Sequence, residues 1–303
     1  MTGFPSAPVS RRGAGASAPT LVARSAAYPA RSFPLRAGAY QLTRFLSAGG
    51  MGVVFEARHR FGGERVAVKF MDPDAHYPNK DERFSREIVA LRSLRHDAIA
   101  RFVDFGRTSD GLRFLVMEYV PGVTLSELTA REGALPLRRC VALLRQLCGA
   151  LAEAHAAGMA HRDLKPSNVM VARAGTRERV KLIDFGLAQL PDAVGTKETC
   201  LPGIFLGTPG YAPPEVWSRA GGLGARGDVY AIGLIAHHLL TGCPPPDPVE
   251  TLVHNCRRLI EDLKTRTPSW CVALFARCLS TDPSMRFADA GALLRALPSL
   301  ELA

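Results

Sequence analysis

The stretch His161-Arg162-Asp163-Leu164-Lys165-Pro166-Ser167-Asn168, with its sequel Asp184-Phe185-Gly186, constrains this chain more than any other part of it. Asn168 lies five residues after Asp163, and Asp184 twenty-one after it. Three side chains able to handle a proton or a metal ion therefore fall within a short span. Val169-Met170-Val171 follows the first cluster, and Val180-Lys181-Leu182-Ile183 leads into the second. These apolar runs, separated by Ala174-Gly175-Thr176, predict two short strands joined by a turn, with the polar groups on loops at the strand ends. A polar turn between hydrophobic strands can produce one such cluster. Both clusters in this order, with what surrounds them, point to chemistry.

Taken together these residues resemble the catalytic loop and metal-binding loop of the eukaryotic-like (bacterial-type) serine/threonine protein kinase family. The resemblance implies an α+β fold of two lobes, a small β-rich N-lobe and a larger helical C-lobe. ATP and Mg²⁺ are the implied cofactors. Phosphoryl transfer demands little covalent chemistry of a protein, so catalysis rests on positioning and on neutralising charge as it develops. By resemblance, Asp163 accepts the proton of the substrate hydroxyl, and Lys165 reaches the transferred phosphate. Asn168 and Asp184 carry the oxygen donors that a hard cation takes. A lysine two residues after Asp163, followed by Pro166, is the Ser/Thr pattern within the family.

Residues 1–39 are rich in Ala, Pro, Ser, Gly and Arg and lack hydrophobic periodicity, so a disordered tail is expected there. An Arg-rich, acid-free start also resembles a transit peptide, although the whole chain is rich in the same residues. From Tyr40 the pattern becomes strand, glycine turn, strand: Tyr40, Leu42 and Leu46 lead into Ser47-Ala48-Gly49-Gly50-Met51-Gly52, then Val53-Val54-Phe55. Backbone N–H groups on such a loop can approach phosphate oxygens. Gly49, Gly52 and Val54 match the family's glycine-rich loop, and Ser47 stands where its first glycine would be. The hairpin Phe61-Gly62-Gly63-Glu64 leads to Arg65-Val66-Ala67-Val68-Lys69-Phe70. Alternation there sets Val66, Val68 and Phe70 on one face and Ala67 and Lys69 on the other.

Asp81–Leu94 has the spacing of a helix, and Glu87 emerges beside its buried stripe, where an unpaired carboxylate would be costly. Lys69 is the expected partner, and Arg83 or Arg92 is the alternative. Two strands split by Thr108-Ser109-Asp110-Gly111 follow, the second ending in Met117-Glu118-Tyr119-Val120. By resemblance Met117 gates the adenine pocket, and the backbone of Glu118 and Val120 meets the purine edge. The implied nucleotide-binding set is Leu46, Ser47, Ala48, Gly49, Gly50, Met51, Gly52, Val54, Ala67, Lys69, Glu87, Met117, Glu118 and Val120.

Leu137–Gly158 reads as an amphipathic helix that delivers the chain to the catalytic loop. About thirty residues after Asp184 lack periodicity, and loops of that length are usually functional. They close with Gly207-Thr208-Pro209-Gly210-Tyr211-Ala212-Pro213-Pro214-Glu215, similar to the end of the family's activation segment, with Pro213 in place of an alanine. By resemblance, Arg162 beside Asp163 marks the subclass often activated by phosphorylation in this segment, with Thr196 or Thr199 as the candidate sites whose phosphate would pair with Arg162. Thr208 is assigned to the substrate-binding floor. Asp228 opens a helix apolar nearly all round, which belongs in a core. Arg286 matches the late arginine that pairs with Glu215. The domain reading is a kinase domain over 40–297 (N-lobe about 40–119, C-lobe about 121–297) and a short tail at 298–303.

Composition excludes little but narrows the setting. Of the net charge of +10, five arginines sit in residues 1–39, which weakens any argument for a nucleic-acid-binding face. Seven cysteines without a C-x-x-C pair argue against a disulfide or metal framework and fit a reducing cytoplasm. His237-His238 reads as partly buried helix surface, not a metal site. No run reaches the roughly eighteen apolar residues of a membrane span. Many bacterial relatives carry a membrane helix and sensor domain after the catalytic one. With the chain ending at Ala303, neither is expected. The functional expectation is transfer of the ATP γ-phosphoryl group to Ser or Thr of protein substrates, in the cytoplasm. A pseudokinase-like scaffold and a small-molecule phosphotransferase are the alternatives, and the oligomeric state is left open.

Overall fold

In a computed structural model of the chain, the described residues are 20–25, 28–34, 36–49, 52–71, 88, 92–175, 177–184, 209–216, 224–245 and 255–299. They belong to two compact units, Met1–Lys80 with Ala100–Val120, and Asp81–Ile99 with Pro121–Ala303.

The first unit is a β structure. Strands β1 (Thr20–Ser25) and β2 (Tyr28–Pro34) pair as an antiparallel hairpin. The expectation of a disordered tail differs from the structure over these residues. Composition averaged over the whole tail hid two local runs able to pair. A six-stranded antiparallel sheet follows, in the order β3-β4-β5-β6-β8-β7. Its members are β3 (Arg36–Ala37), β4 (Tyr40–Gly49), β5 (Gly52–His59), β6 (Arg65–Met71), β7 (Phe102–Arg107) and β8 (Arg113–Glu118). The β5–β6 turn falls at the predicted hairpin, where His59 N–H donates to Glu64 O at 2.9 Å.

Alternation gives this sheet two unlike faces. Val53, Phe55, Val66, Val68, Phe70, Phe114 and Val116 form one core with Tyr40 and Leu42. Within it the Phe55 and Phe70 rings meet edge to face at 5.9 Å, an arrangement worth about 1 kcal/mol beyond area burial. The opposite face carries Val54, Ala67, Lys69 and Met117. Lys69 registers against Val54 and Leu115, and Ala67 against Met117.

The second unit is mainly helical. A capping box between Thr124 and Glu127 starts α1 (Leu125–Glu132). Pro136 precedes α2 (Leu137–Ala156), which spans 20 residues and buries Cys140, Leu144, Leu147, Leu151 and Ala154 on one stripe. The predicted strands are β10 (Val169–Ala174) and β11 (Arg177–Leu182), paired in register from Val169–Leu182 to Ala174–Arg177. The short β9 (Val123–Thr124) pairs with β10 on its other side. Helix α3 (Ala225–Thr241) is buried continuously from Gly227 to Leu240, as its composition requires, and Gly242 in the left-handed region ends it. Helices α4 (Asn255–Lys264), α5 (Ser269–Cys278) and α6 (Ala290–Ala296) complete the described unit.

Two expectations change here. His237 and His238 are 2% and 7% exposed, so the pair is core and not helix surface. The apolar residues around them on α3 leave the helix no solvent-facing side. The domain boundary also differs. Leu94, Ala98 and Ile99 pack in the core of the second unit, and Ile99 bridges Leu182 of β11, so this stretch does not group with the small β unit.

Candidate active site

In the β unit, the glycine turn and the strand lysine are set by the same three strands. Gly49 and Gly52 face each other across the β4–β5 turn, while Gly50 and Met51 lie outside the described residues. Gly52 has φ +134°, and a Cβ there would sit 1.9 Å from the Phe70 carbonyl oxygen, so no larger residue fits. Ser47 pairs with Val54 after a register shift at Leu46, and its side chain is exposed. Lys69 is 4% exposed on the face it shares with Ala67 and Met117. Glu87, its expected partner, lies outside the described residues. The Glu118 backbone N–H donates to Arg101 O at 2.8 Å, and its carboxylate accepts from Arg101 N–H at 3.1 Å. Of the purine-edge groups expected at Glu118, this leaves the carbonyl. Leu46 and Ala48 are half-buried, and Val120 is buried.

In the helical unit the catalytic stretch is held by polar contacts from far along the chain. The Asp228 carboxylate, 1% exposed at the start of α3, accepts from His161 N–H at 2.7 Å and Arg162 N–H at 2.9 Å. It also meets His155 Nε2 at 2.9 Å. Because His155 Nδ1 accepts from Ala290 N–H at 3.1 Å, the proton resides on Nε2. His161 is fully buried, and its Nε2 donates to Ile183 O at 3.1 Å. Burial pushes its imidazole below the ordinary value, and Asp228 opposes that only in part. The loop therefore hangs from a neutral histidine and one buried carboxylate.

Asp163 is 6% exposed, with Lys165 Nζ on its Oδ2 at 2.8 Å. The Asn168 amide nitrogen donates to Asp163 O at 2.8 Å, which fixes the ring of the loop and leaves the amide oxygen able to meet a cation. Ile183 N–H donates to Asn168 O at 2.9 Å and brings Asp184 to the same end of the β10–β11 hairpin. Arg162 and Asp184 are the non-glycine residues with positive φ, 65° and 55°, among those described. Strain of about 1–2 kcal/mol at each is of the kind that clusters at functional sites. An amide oxygen and a carboxylate are the donor set a hard divalent cation takes, so Asn168 and Asp184 fit Mg²⁺.

The activation segment is described only at its end. Thr196, Thr199 and Thr208 lie outside the described residues. Tyr211, Ala212 and Pro213 line a small cavity with Arg162 and Asp163, so the segment returns beside the catalytic loop. Arg286 donates to both oxygens of Glu215, at 2.8 and 2.7 Å, with its side chain fully buried.

Two groupings escape sequence reasoning. Tyr211 O–H meets His238 Nδ1 at 2.9 Å, and His238 Nε2 meets Thr129 Oγ1 at 3.1 Å, a buried relay from the activation segment to α1. In the β unit, Arg44 and Arg65 both hold the Glu56 carboxylate, at 2.9 and 2.8 Å, and hold it below the usual carboxylate range. Arg65 lies 4.1 Å over the Tyr119 ring. Its members come from β4, β5 and β6, and no short motif announces it.

A buried carboxylate, an ammonium and an amide on one loop, with a second carboxylate at the adjoining end of the β10–β11 hairpin, in a helical unit accompanied by an antiparallel sheet with a glycine turn and a buried lysine, characterise a protein kinase domain. Residues 40–295 match the family described as protein kinase domain, and the chain belongs to that family. It is 40% identical over 254 residues to the serine/threonine-protein kinase Pkn1 of Myxococcus xanthus, covering 78% of this chain and 35% of that protein. It is 35% identical over 284 residues to PknA of Mycobacterium tuberculosis, covering 86% of this chain and 62% of the relative. The chain thus spans about a third to two thirds of these relatives' length. Among solved structures, the M. tuberculosis PknI kinase domain superposes with a TM-score of 0.68 at 28% identity, covering 88% of this chain and 96% of that one. No helix among the described residues is long and apolar enough to cross a membrane.

Proposed function

We propose that the chain is a serine/threonine protein kinase that transfers the γ-phosphoryl group of ATP to Ser or Thr hydroxyls of protein substrates. The observation that carries this reading is the cluster of Asp163, Lys165 and Asn168 on a loop clamped by Asp228. In the proposed reaction Asp163 accepts the proton of the substrate hydroxyl as its oxygen bonds to the γ-phosphorus, and the bond from that phosphorus to the β-phosphate bridging oxygen breaks, releasing ADP. Lys165, already beside Asp163, offsets negative charge on the group in transfer. Asn168 and Asp184 would hold Mg²⁺, which would supply charge neutralisation on the phosphates. Lys69, positioned by Glu87, orients the α- and β-phosphates. The adenine is taken by Leu46, Val54, Ala67, Met117 and the backbone of Glu118 and Val120, and the phosphates by the loop from Ser47 to Gly52.

The Glu215–Arg286 pair favours a protein substrate, because it anchors the segment along which a polypeptide would lie. Phosphorylation of Thr196 or Thr199 pairing with Arg162 is the proposed activating step. Free thiols at Cys140, Cys148, Cys271 and Cys278, all buried, support a reducing cytoplasm as the place of action.

The test is incubation with labelled ATP, Mg²⁺ and a generic basic protein, followed by phosphoamino-acid analysis. Phosphoserine or phosphothreonine is expected, falling by about 10²–10⁴ in Asp163→Ala. Lys69→Met should abolish autophosphorylation with the fold intact. Wild-type turnover in Asp163→Ala would remove the proton-acceptor role, and nucleotide binding without transfer in the wild type would make the chain a scaffold.

A further inference from the structure

The reaction described above leaves unused a polar array of four side chains in the β unit. Glu56 on β5 is held from both sides. Arg44 on β4 donates to its Oε2 from Nε at 3.1 Å and from Nη2 at 2.9 Å, and Arg65 on β6 donates to its Oε1 from Nε at 2.8 Å. Both arginines also bear on Tyr119. Arg44 Nη2 donates to the Tyr119 hydroxyl oxygen at 3.2 Å, and the Arg65 guanidinium lies 4.1 Å over the Tyr119 ring.

The strand register fixes the face this array occupies. Glu56 is opposite Ala67, and Ala67 is opposite Met117. Arg65, Ala67 and Lys69 alternate along β6, so Glu56 and its arginines share the face of Val54, Ala67 and Met117 and not the core face of Phe55 and Phe70. A β-bulge brings Arg44 there. Leu42 is opposite Ala57 and Arg44 is opposite Glu56, so Thr43 is the extra residue, and its hydroxyl donates to Glu56 O at 3.0 Å. Without that insertion Arg44 would fall opposite Phe55, in the core. Bulges re-aim side chains in this way, and they gather next to functional sites.

A carboxylate only 8% exposed costs desolvation, and arginines whose side chains are 60% and 43% exposed return little of it as fold stability. What the array does secure is Tyr119. The register of β6 with β8 ends at Val66–Glu118, so that ladder does not carry Tyr119 and Val120. A ring held at its hydroxyl and over its face leaves the peptide groups beside it little swing.

We propose that Glu56 is a positioning residue for the purine. Through Arg44 and Arg65 it fixes Tyr119, and with it the Glu118 carbonyl and the Val120 backbone on either side. The role rests on the kinase reading above, in which those two backbones meet the purine edge.

The probes are ADP and inosine diphosphate, which differ at the purine 6-position, an amino donor in one and an oxo acceptor in the other. Isothermal titration calorimetry on the full chain with Mg²⁺ reads both affinities without phosphoryl transfer. The chain should prefer ADP by about tenfold, because only its base can donate to the Glu118 carbonyl. Glu56→Ala should lower that preference at least about threefold. Arg65→Lys, which keeps the ion pair but loses the flat stack, should lower it at least about twofold. Since Glu56 acts through Tyr119, Tyr119→Ala should lower the preference too, and the double variant with Glu56→Ala no further than the larger single change. Tyr40→Phe breaks the hydrogen bond to Asp104 at 3.1 Å in the same unit, and should leave the preference unchanged. Circular dichroism confirms that each variant folds. No preference in the full chain, an unchanged preference in Glu56→Ala or Arg65→Lys, an equal fall in Tyr40→Phe, or additive losses in the double variant would overturn the role of Glu56 and leave the kinase reading standing. A full chain that binds neither diphosphate would overturn both.

Discussion

Arg286→Leu tests whether the end of the activation segment is stapled to the helical unit by a single buried cation. The Arg286 side chain is fully buried and the Glu215 side chain 11% exposed. Besides its two bonds to Glu215, Arg286 donates from Nε to Ser280 O at 2.8 Å and from Nη1 to Arg226 O at 3.1 Å. Its guanidinium lies 4.8 Å over the Tyr230 ring. Removing it strands one carboxylate and two carbonyl oxygens in a site water scarcely reaches. Breaking a buried pair from one side costs about 3–5 kcal/mol, and leucine recovers about 1–2 of that through its own apolar burial. The expected net loss is therefore about 3 kcal/mol, or roughly 6–12 °C in Tm for a unit of this size. Urea denaturation followed by circular dichroism measures it, and a double-mutant cycle with Glu215→Gln isolates the pair. Because each single change leaves a partner buried without its counterpart, the double variant should be more stable than additivity predicts by about 1–3 kcal/mol. A loss under about 1 kcal/mol for Arg286→Leu, or simple additivity, would show that the staple carries little energy.

Two further outcomes follow from the core and the glycine turn. Burial lowers the imidazoles of His161, His237 and His238, so as pH falls the unfolded chain takes up protons near 6.5 before the folded chain does. Stability should be full above that value and decline below it, by up to about 1.4 kcal/mol per pH unit for each histidine, until the folded values are reached. His237 stands out because Asp262 is 3.5 Å from its Nε2, too far for a good hydrogen bond, so His237→Leu should flatten the decline at little cost at neutral pH. An unchanged pH profile in that variant would contradict its being held neutral. Gly52→Ala would drive a Cβ into the Phe70 carbonyl, and should lower Tm and weaken ATP binding together. Wild-type ATP affinity in that variant would mean the turn relaxes freely.

What the sequence made legible was local. Asp163, Lys165 and Asn168 lie within one short loop, and the β10–β11 hairpin behind them follows from two apolar runs and a glycine turn. The face of Lys69 followed from period-two alternation alone, and the register with Val54 and Leu115 agrees. The Glu215–Arg286 pair came through resemblance, since 71 residues separate the partners and no spacing rule joins them. The misread positions share a cause. The polarity of His237 and His238 points to the surface, whereas α3 is surrounded by apolar packing and leaves them no exit. The apolar run after Asp228 marks the start of a core helix, but nothing in it marks Asp228 as the acceptor for His161 and Arg162 N–H groups 67 and 66 residues earlier.

Charge is the one long-range signal a sequence carries, because a buried ion demands a counter-ion somewhere and so can be searched for. Neutral hydrogen bonds carry no such demand. The relay Tyr211–His238–Thr129 joins groups 27 and 109 residues apart, yet each of the three could satisfy itself on backbone or water in another fold. In this fold burial removes that freedom. Burial pushes the Tyr211 hydroxyl above its ordinary value and the His238 imidazole below it, so both stay neutral; with the Thr129 proton given to Leu125 O, the order of donors is Nε2–H to Thr129 and Tyr211 O–H to Nδ1. The Thr129 hydroxyl in turn donates to Leu125 O at 3.0 Å, one turn back along α1. The connection between the activation segment and α1 thus rests on packing that excludes water, and on no residue type that a reader of the sequence would have marked.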